Sequence, residues 1–307
     1  MMLRTGSGAV RAENEKPAHR GGTETMKLLR YGPPGEERPG LMDAAGRIYD
    51  LAEAIGDITP ATIAAGCIDI VHGLSPQDLP PVEGTPRIGP PILAPQKFIG
   101  IGLNYSDHAR EVGMERPAEP VVFTKHVTCI CGPDDDVILP PFAEKADWEV
   151  ELGVVIGKVT RNVPEEKALR HVAGYVLVND VSERKVQLEG TGQWVKGKSF
   201  DTFGPVGPWL VTTDELPDPQ AIDLELRLNG EVMQKGNTAN MFFSVAELVS
   251  YLSRHFTLMP GDIIATGTPA GVGHGRNPPR YLREGDVMEL SGTGLGRQRQ
   301  RVRRAGG

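Results

Sequence analysis

The run Asp147-Trp148-Glu149-Val150-Glu151-Leu152-Gly153-Val154-Val155-Ile156 constrains the fold more than any other part of the sequence. A strand projects residues i and i+2 to the same side. As a strand, this run sets Asp147, Glu149 and Glu151 on one face and Trp148, Val150 and Leu152 on the other. The apolar face and the Gly-Val-Val-Ile end require burial in a sheet, but carboxylates buried without partners are costly. The acid face must therefore either stay in water, as on a half-buried edge strand, or be neutralised. A hard cation neutralises it through oxygen ligands, which is the chemistry of Mg2+, Mn2+ or Ca2+ rather than zinc. A second apolar run, Gly174 to Asn179, stops at another acid, Asp180. A third ligand from there leaves coordination positions for water and substrate.

The rest of the chain reads as many turns and short strands. It has 38 Gly and 26 Pro among 307 residues, with only 6% aromatics. Hydrophobic content of 39% and charged content of 24% are those of an ordinary globular protein. A net charge of −7 argues against a general nucleic-acid binder. No apolar run approaches the roughly 20 residues of a membrane span. The arginine-rich stretch Arg297 to Arg304 reads as a last strand with a solvated end, not a nucleic-acid patch. Cys67, Cys129 and Cys131 form no even disulfide framework, and the C-x-C pair lacks partners at zinc spacing. They read as reduced, half-buried thiols of a cytoplasmic protein.

Residues 1–25 carry no apolar stretch and read as a disordered leader. Residues 26–93 read as a small N-terminal domain. Its strand-like pieces are Leu28–Tyr31 and Arg47–Asp50, with a turn at Gly32–Gly35 and short helices at Leu51–Ile55 and Ile63–Gly66. Leu79 to Pro95 reads as a Pro-rich linker. Residues 96–307 form the main domain. Leu224, Leu226 and Leu228 alternate with charges and end in Asn229-Gly230, a hairpin signal. Val245 to Phe256 reads as an amphipathic helix with Leu248, Val249, Leu252 and Phe256 inward. Asp107 to Val112 starts another. The sum is a strand-rich α+β fold.

Five blocks, in order over about two-thirds of the chain, resemble the catalytic domain of the fumarylacetoacetate hydrolase family. They are Gly102-Leu103-Asn104-Tyr105-Ser106-Asp107-His108, Asp147 to Glu151, and Gly174-Tyr175 through Asn179-Asp180-Val181-Ser182. Gly192 to Asp201 and Thr266 to Gly273 complete the set. The resemblance implies a mixed β-roll catalytic domain with a small N-terminal domain, assembled as a homodimer. It also implies that Glu149, Glu151 and Asp180 bind Mg2+ or Mn2+, with Ca2+ also suited.

His108 and Glu111 are three apart and face one way on a helix, where the carboxylate orients the imidazole. Residue type alone favours a solvated surface pair; the resemblance instead implies a catalytic base on a lid-like segment. It likewise implies that Lys198 stabilises an enolate or oxyanion, and that Lys125, Arg184, Gln187 and Thr268 contact the substrate. The Thr268 hydroxyl is expected to grip a carboxylate. The chain departs from the family at His126 and Val127, where Pro and a small hydroxyl residue are common. It departs again at Leu103, where the acylpyruvate-cleaving branch often has Arg. Val181 to Arg184, Gly207 to Thr212 and Gly294 to Gln298 lie closer to members labelled ureidoglycolate lyase or diketo-deoxy sugar-acid hydrolase. The expected activity is metal-dependent C–C bond hydrolysis in a small 1,3-dioxo or 2-oxo acid. The alternatives are a ureidoglycolate lyase, a decarboxylase or isomerase on the same sink, or a binding protein with a structural metal.

Overall fold

The computed structural model describes residues 27–306. The expected leader, residues 1–25, lies outside the described residues. The chain is strand-rich α+β, built on one large mixed sheet and a five-stranded second sheet. The large sheet runs, in spatial order, through Ile48–Asp50, Arg38–Met42, Lys27–Tyr31, Gly204–Thr212, Val172–Asn179, Val150–Ile156, Ile263–Ala265, Phe98–Gly102 and Val121–Lys125. Most neighbours are antiparallel; Ile263–Ala265 and Phe98–Gly102 pair in parallel. The three N-terminal strands join the sheet where Lys27 and Leu28 pair with Val211 and Leu210.

At the sheet centre, every residue of Val150–Ile156 and of Val172–Asn179 is buried. Continuous apolar runs suit strands covered on both faces. The second sheet supplies part of that cover through Leu224, Leu226, Leu228, Met288 and Leu290, all buried in the same core. Its hairpin turns at Asn229-Gly230, both with positive φ (53° and 82°), as the Asn-Gly signal requires. Gly100 is needed because a Cβ there would meet the Phe123 ring at 2.2 Å.

The helix Val245–His255 starts with a capping box, in which Ser244 and Glu247 satisfy each other's backbone N–H. It buries Val245, Leu248, Val249 and Leu252, each such side chain contributing about 1.5–3 kcal/mol. Phe256 is not on that face. It is the extended C-cap residue and is 37% exposed, while Ser253 takes an inward position and accepts from Val163 N.

Other local expectations shift. A strand at Arg38–Met42 pairs with Lys27–Tyr31, so the Arg47–Asp50 piece is the third strand, not the second. Pro39-Gly40 has the composition of a turn, yet both sit inside that strand. The expected Ile63–Gly66 helix is two helices, Pro60–Ala64 and Cys67–His72, broken at Gly66 with φ 85°. Ile88–Gly89, inside the expected linker, pairs with Arg30 and Tyr31. The cysteines are free and buried rather than half-buried. Gly296–Arg304 is a strand with its arginines outward and Gln298, Gln300 and Val302 buried. Among the described residues, no helix is long and apolar enough to cross a membrane.

Candidate active site

Two neighbouring strands bring the acids together. Val150 pairs with Asn179 and Glu151 with Val178, so Glu149 and Asp180 lie side by side at the strand ends. The Asp180 N–H donates to the Glu149 carbonyl at 2.9 Å. One carboxylate oxygen from each of Glu149, Glu151 and Asp180 lies within 4.8 Å of the others, and all three residues are buried. Around an ion with bonds of about 2.1–2.4 Å, opposed oxygens stand roughly 4.2–4.8 Å apart. The donor set therefore fits Mg2+, Mn2+ or Ca2+ in both size and hardness.

Asp147 does not share this cluster. The extended run is interrupted at Trp148 and Glu149, which takes Asp147 off the acid face. Its carboxylate instead accepts from the N–H groups of Trp148, Gly273 and His274, and from Arg184 Nε at 2.8 Å.

Three cations surround the acids. Lys198 Nζ donates to Glu149 Oε2 at 2.7 Å and to Asp180 Oδ2 at 2.8 Å. Arg184 Nη2 lies 2.7 Å from Glu149 Oε1, but the contact is misaligned, and Nη2 makes no hydrogen bond to the protein. Lys125 Nζ donates to Asp180 Oδ1 at 2.6 Å and to the carbonyls of Val181 and Lys198. Lys125, expected as a substrate contact, is thus spent behind the cluster: it is 2% exposed and absent from the cavity wall.

The charges do not balance evenly. Burial pushes the Glu149 carboxyl up, but Lys198 and Arg184 outweigh it and hold it down at about 2. Glu151 accepts from Gly267 N at 2.8 Å, and no ion pair to it occurs among the described residues. Burial, then Asp180 and Glu149, push its carboxyl well above the usual range. Burial disfavours the Lys198 ammonium, yet Asp180 and Glu149 raise it overall. Ionised, Glu151 would face two other carboxylates, and a divalent cation would stabilise that charge.

The cavity above the acids holds about 300 Å³. His108, Arg184, Gln187, Lys198, Thr268, Glu149 and Glu151 line it. The short helix Ser106–Glu111 sets His108 Nδ1 3.0 Å from Glu111 Oε2, and Glu111 Oε1 accepts from Gly271 N at 2.8 Å. Gly271 has φ 109°, and a Cβ there would lie 1.9 Å from the Met233 carbonyl oxygen, so only glycine fits. Gln187 Oε1 accepts from Arg184 Nη1 at 3.1 Å. Thr268 is on the wall, but its hydroxyl donates to the Val150 carbonyl at 2.9 Å and its Oγ1 accepts from Gln234 Nε2 at 2.7 Å. That hydroxyl is already satisfied and has no hydrogen left to grip a substrate carboxylate.

Several residues were not flagged by the sequence. Gln234 accepts from Val150 N and donates to Thr268 and Pro269, bracing the acid strand from the second sheet. Gln300 Oε1 accepts from Asn179 Nδ2 at 3.1 Å, and Asn179 Oδ1 accepts from Glu149 N at 3.3 Å. His274 lines the cavity with Nδ1 3.0 Å from the Tyr281 hydroxyl.

Residues 97–303 match the family model described as fumarylacetoacetate (FAA) hydrolase, C-terminal. A Burkholderia cenocepacia protein named "putative hydrolase" is 55% identical over 281 residues, covering 91% of this chain and all of the relative. Among solved structures, a fumarylacetoacetate hydrolase from Exiguobacterium antarcticum is 37% identical, with a TM-score of 0.80. A 5-carboxymethyl-2-hydroxymuconate delta-isomerase from Mycobacterium smegmatis is 32% identical, with a TM-score of 0.72. A maleylpyruvate hydrolase from Sphingobium sp. SYK-6, in complex with manganese(II) and pyruvate, is 28% identical, with a TM-score of 0.77. Each match covers 92% of this chain and all of the solved one.

Proposed function

The chain belongs to the fumarylacetoacetate hydrolase family, and from that premise we propose that it is a divalent-metal-dependent hydrolase cleaving a C–C bond in a small 1,3-dioxo or 2-oxo acid. The observation that carries this reading is the buried three-carboxylate cluster, whose oxygens lie within 4.8 Å of one another beneath a cavity lined by His108 and Lys198. When bound at Glu149, Glu151 and Asp180, Mg2+ or Mn2+ supplies Lewis acidity toward the 2-oxo-acid end of a substrate.

The chain's own residues do the rest. Glu111 engages His108 Nδ1, which leaves Nε2 to take a proton from water. That water attacks the distal carbonyl carbon. The Lys198 ammonium stabilises negative charge on the carbonyl oxygen and then on the departing enolate. The bond between the distal carbonyl carbon and the adjoining methylene carbon breaks, its electron pair staying with the enolate. Protonation of the enolate gives a 2-oxo acid; the other product is a carboxylic acid. Arg184 and Gln187 orient the carboxylate and oxo groups. The same reading takes the working form as a homodimer in the cytoplasm, the former checked by light scattering.

The test is a turnover screen with Mg2+ or Mn2+ over acylpyruvates, fumarylpyruvate, oxaloacetate, ureidoglycolate and diketo-deoxy sugar acids, with products identified by mass. Two acid fragments from a 1,3-dioxo acid are expected. Products of unchanged mass would instead support the isomerase reading, which the likeness to the delta-isomerase favours; loss of carbon dioxide would mean decarboxylation.

A further inference from the structure

The cavity lining divides by depth into two chemically opposed parts. Its floor carries Glu149, Glu151, Arg184 and Lys198, none more than 7% exposed. Apart from the buried His108, Gln187 and Thr268 and the exposed His274, its remaining wall is apolar, chiefly Leu103, Val112, Met114, Phe123, Leu188 and Trp194. Met114 and Leu188 are 52% and 42% exposed, which puts apolar side chains at the mouth. Phe123 and Trp194 sit 5.5 Å apart between ring centroids, and Lys198 Nζ lies 5.0 Å from the Phe123 ring, where the two parts meet. Both lining cations are already paired with acids, Arg184 with Asp147 and Glu149, and Lys198 with Glu149 and Asp180. Among the described residues, no other Lys or Arg lines the cavity.

We propose that this site selects 2-oxo acids whose distal group is a neutral, apolar acyl chain or ring, and discriminates against substrates that end in a second carboxylate. The inference rests on the reading that the floor holds the 2-oxo-acid end. Charge points the same way. Four buried carboxylates, Asp147, Glu149, Glu151 and Asp180, face three side-chain cations, Lys125, Arg184 and Lys198. Among these groups no side-chain cation is left over for a second substrate carboxylate. A second carboxylate would lie against the half-buried Leu103 and Trp194 with no lysine or arginine facing it, and would lose part of its hydration there. The cavity, about 300 Å³, lies at the small end of the range for small-molecule sites, so the distal group is of medium length.

The test uses the Mn2+-loaded full chain and two 2-oxo acids of equal carbon number, 2-oxohexanoate and 2-oxoadipate, titrated calorimetrically. 2-Oxohexanoate should bind at least about tenfold tighter, and each added methylene toward 2-oxooctanoate should tighten binding about fourfold. Leu103→Arg should narrow or invert the ratio. Met114→Lys, at the exposed mouth, should narrow it too and guards against misfolding of the first variant. Equal or tighter binding of 2-oxoadipate overturns the proposal, as does a ratio unmoved by both variants. Failure of both acids to bind overturns it together with the reading it rests on. A preference for 2-oxohexanoate without any cleavage of acylpyruvates leaves this inference standing and removes the hydrolase reading. Acylpyruvate cleavage without the preference does the reverse.

Discussion

The N-terminal strands and the centre of the sheet are both dense in ion pairs, but they balance charge differently. At the N-terminal end each carboxylate has its own guanidinium and its own N–H donor. Asp43 accepts from Ala45 N, Arg47 N and Arg47 Nε. Asp50 accepts from Arg38 Nε, Ala52 N and the Tyr31 hydroxyl. Glu37 accepts from Arg87 Nη1 and Gly35 N. Burial works against all three charges and is outweighed, so each carboxyl lies below its usual range. At the centre, Glu149 and Asp180 are matched by lysines, and Glu151 is left over and pushed up. Matched pairs hold strands together. A buried carboxylate without a counter-charge favours its neutral form, and such a perturbed group marks a candidate site for a cation.

The largest effect should come from breaking the unmatched cluster. Glu149→Ala should lower turnover at least about a thousandfold by removing a carboxylate from the cluster and one of the two acids that hold each of Lys198 and Arg184; near-normal rates would sink the comparison. Lys198→Met should cut kcat by about 100- to 1,000-fold while Mn2+ still binds, because it removes a competing cation and no ligand. Metal affinity lost in parallel would show that Lys198 builds the site rather than serving the reaction. Asp50→Ala, in the matched region, should cost about 1–3 kcal/mol in urea denaturation and leave turnover of the folded enzyme unchanged.

The smallest and most diagnostic effect is with pH. Glu37, Asp43 and Asp50 have lowered folded values, so their stabilisation is full above roughly pH 4, where unfolded carboxyls titrate. It fades as pH falls through the lower folded values. Glu151 has the opposite sign: in metal-free protein its contribution is full below roughly pH 4 and is lost as pH rises through its raised value. Because Mn2+ binds the ionised form, the Tm increment it gives should be several degrees larger at about pH 8 than at about pH 5. An increment that does not grow with pH would place the ion elsewhere.

What the sequence made legible was chemistry carried by residue type and spacing. Glu149 and Glu151 at i and i+2, Asp180 at the end of an apolar run, and His108 three before Glu111 all come together as read. What it hid depends on contacts between distant segments. Asp147 looks equivalent to Glu149 until the backbone breaks between the two strand pieces. Lys125 reaches Asp180 and the Lys198 carbonyl from another strand, and nothing local announces that destination. The Thr268 hydroxyl is claimed by Val150 and by Gln234, a residue 34 positions away. A signal for the amide braces did exist. Arg297, Arg299 and Arg301 alternate with Gln298, Gln300 and Val302, so the two glutamines share the face of a buried valine.

The decisive measurement is manganese binding followed by electron paramagnetic resonance at two pH values. One tightly held ion per chain is expected, with affinity that rises with pH and falls at least about a hundredfold in Glu151→Gln. Undiminished binding in Glu151→Gln, or no binding in the native chain, would contradict that expectation.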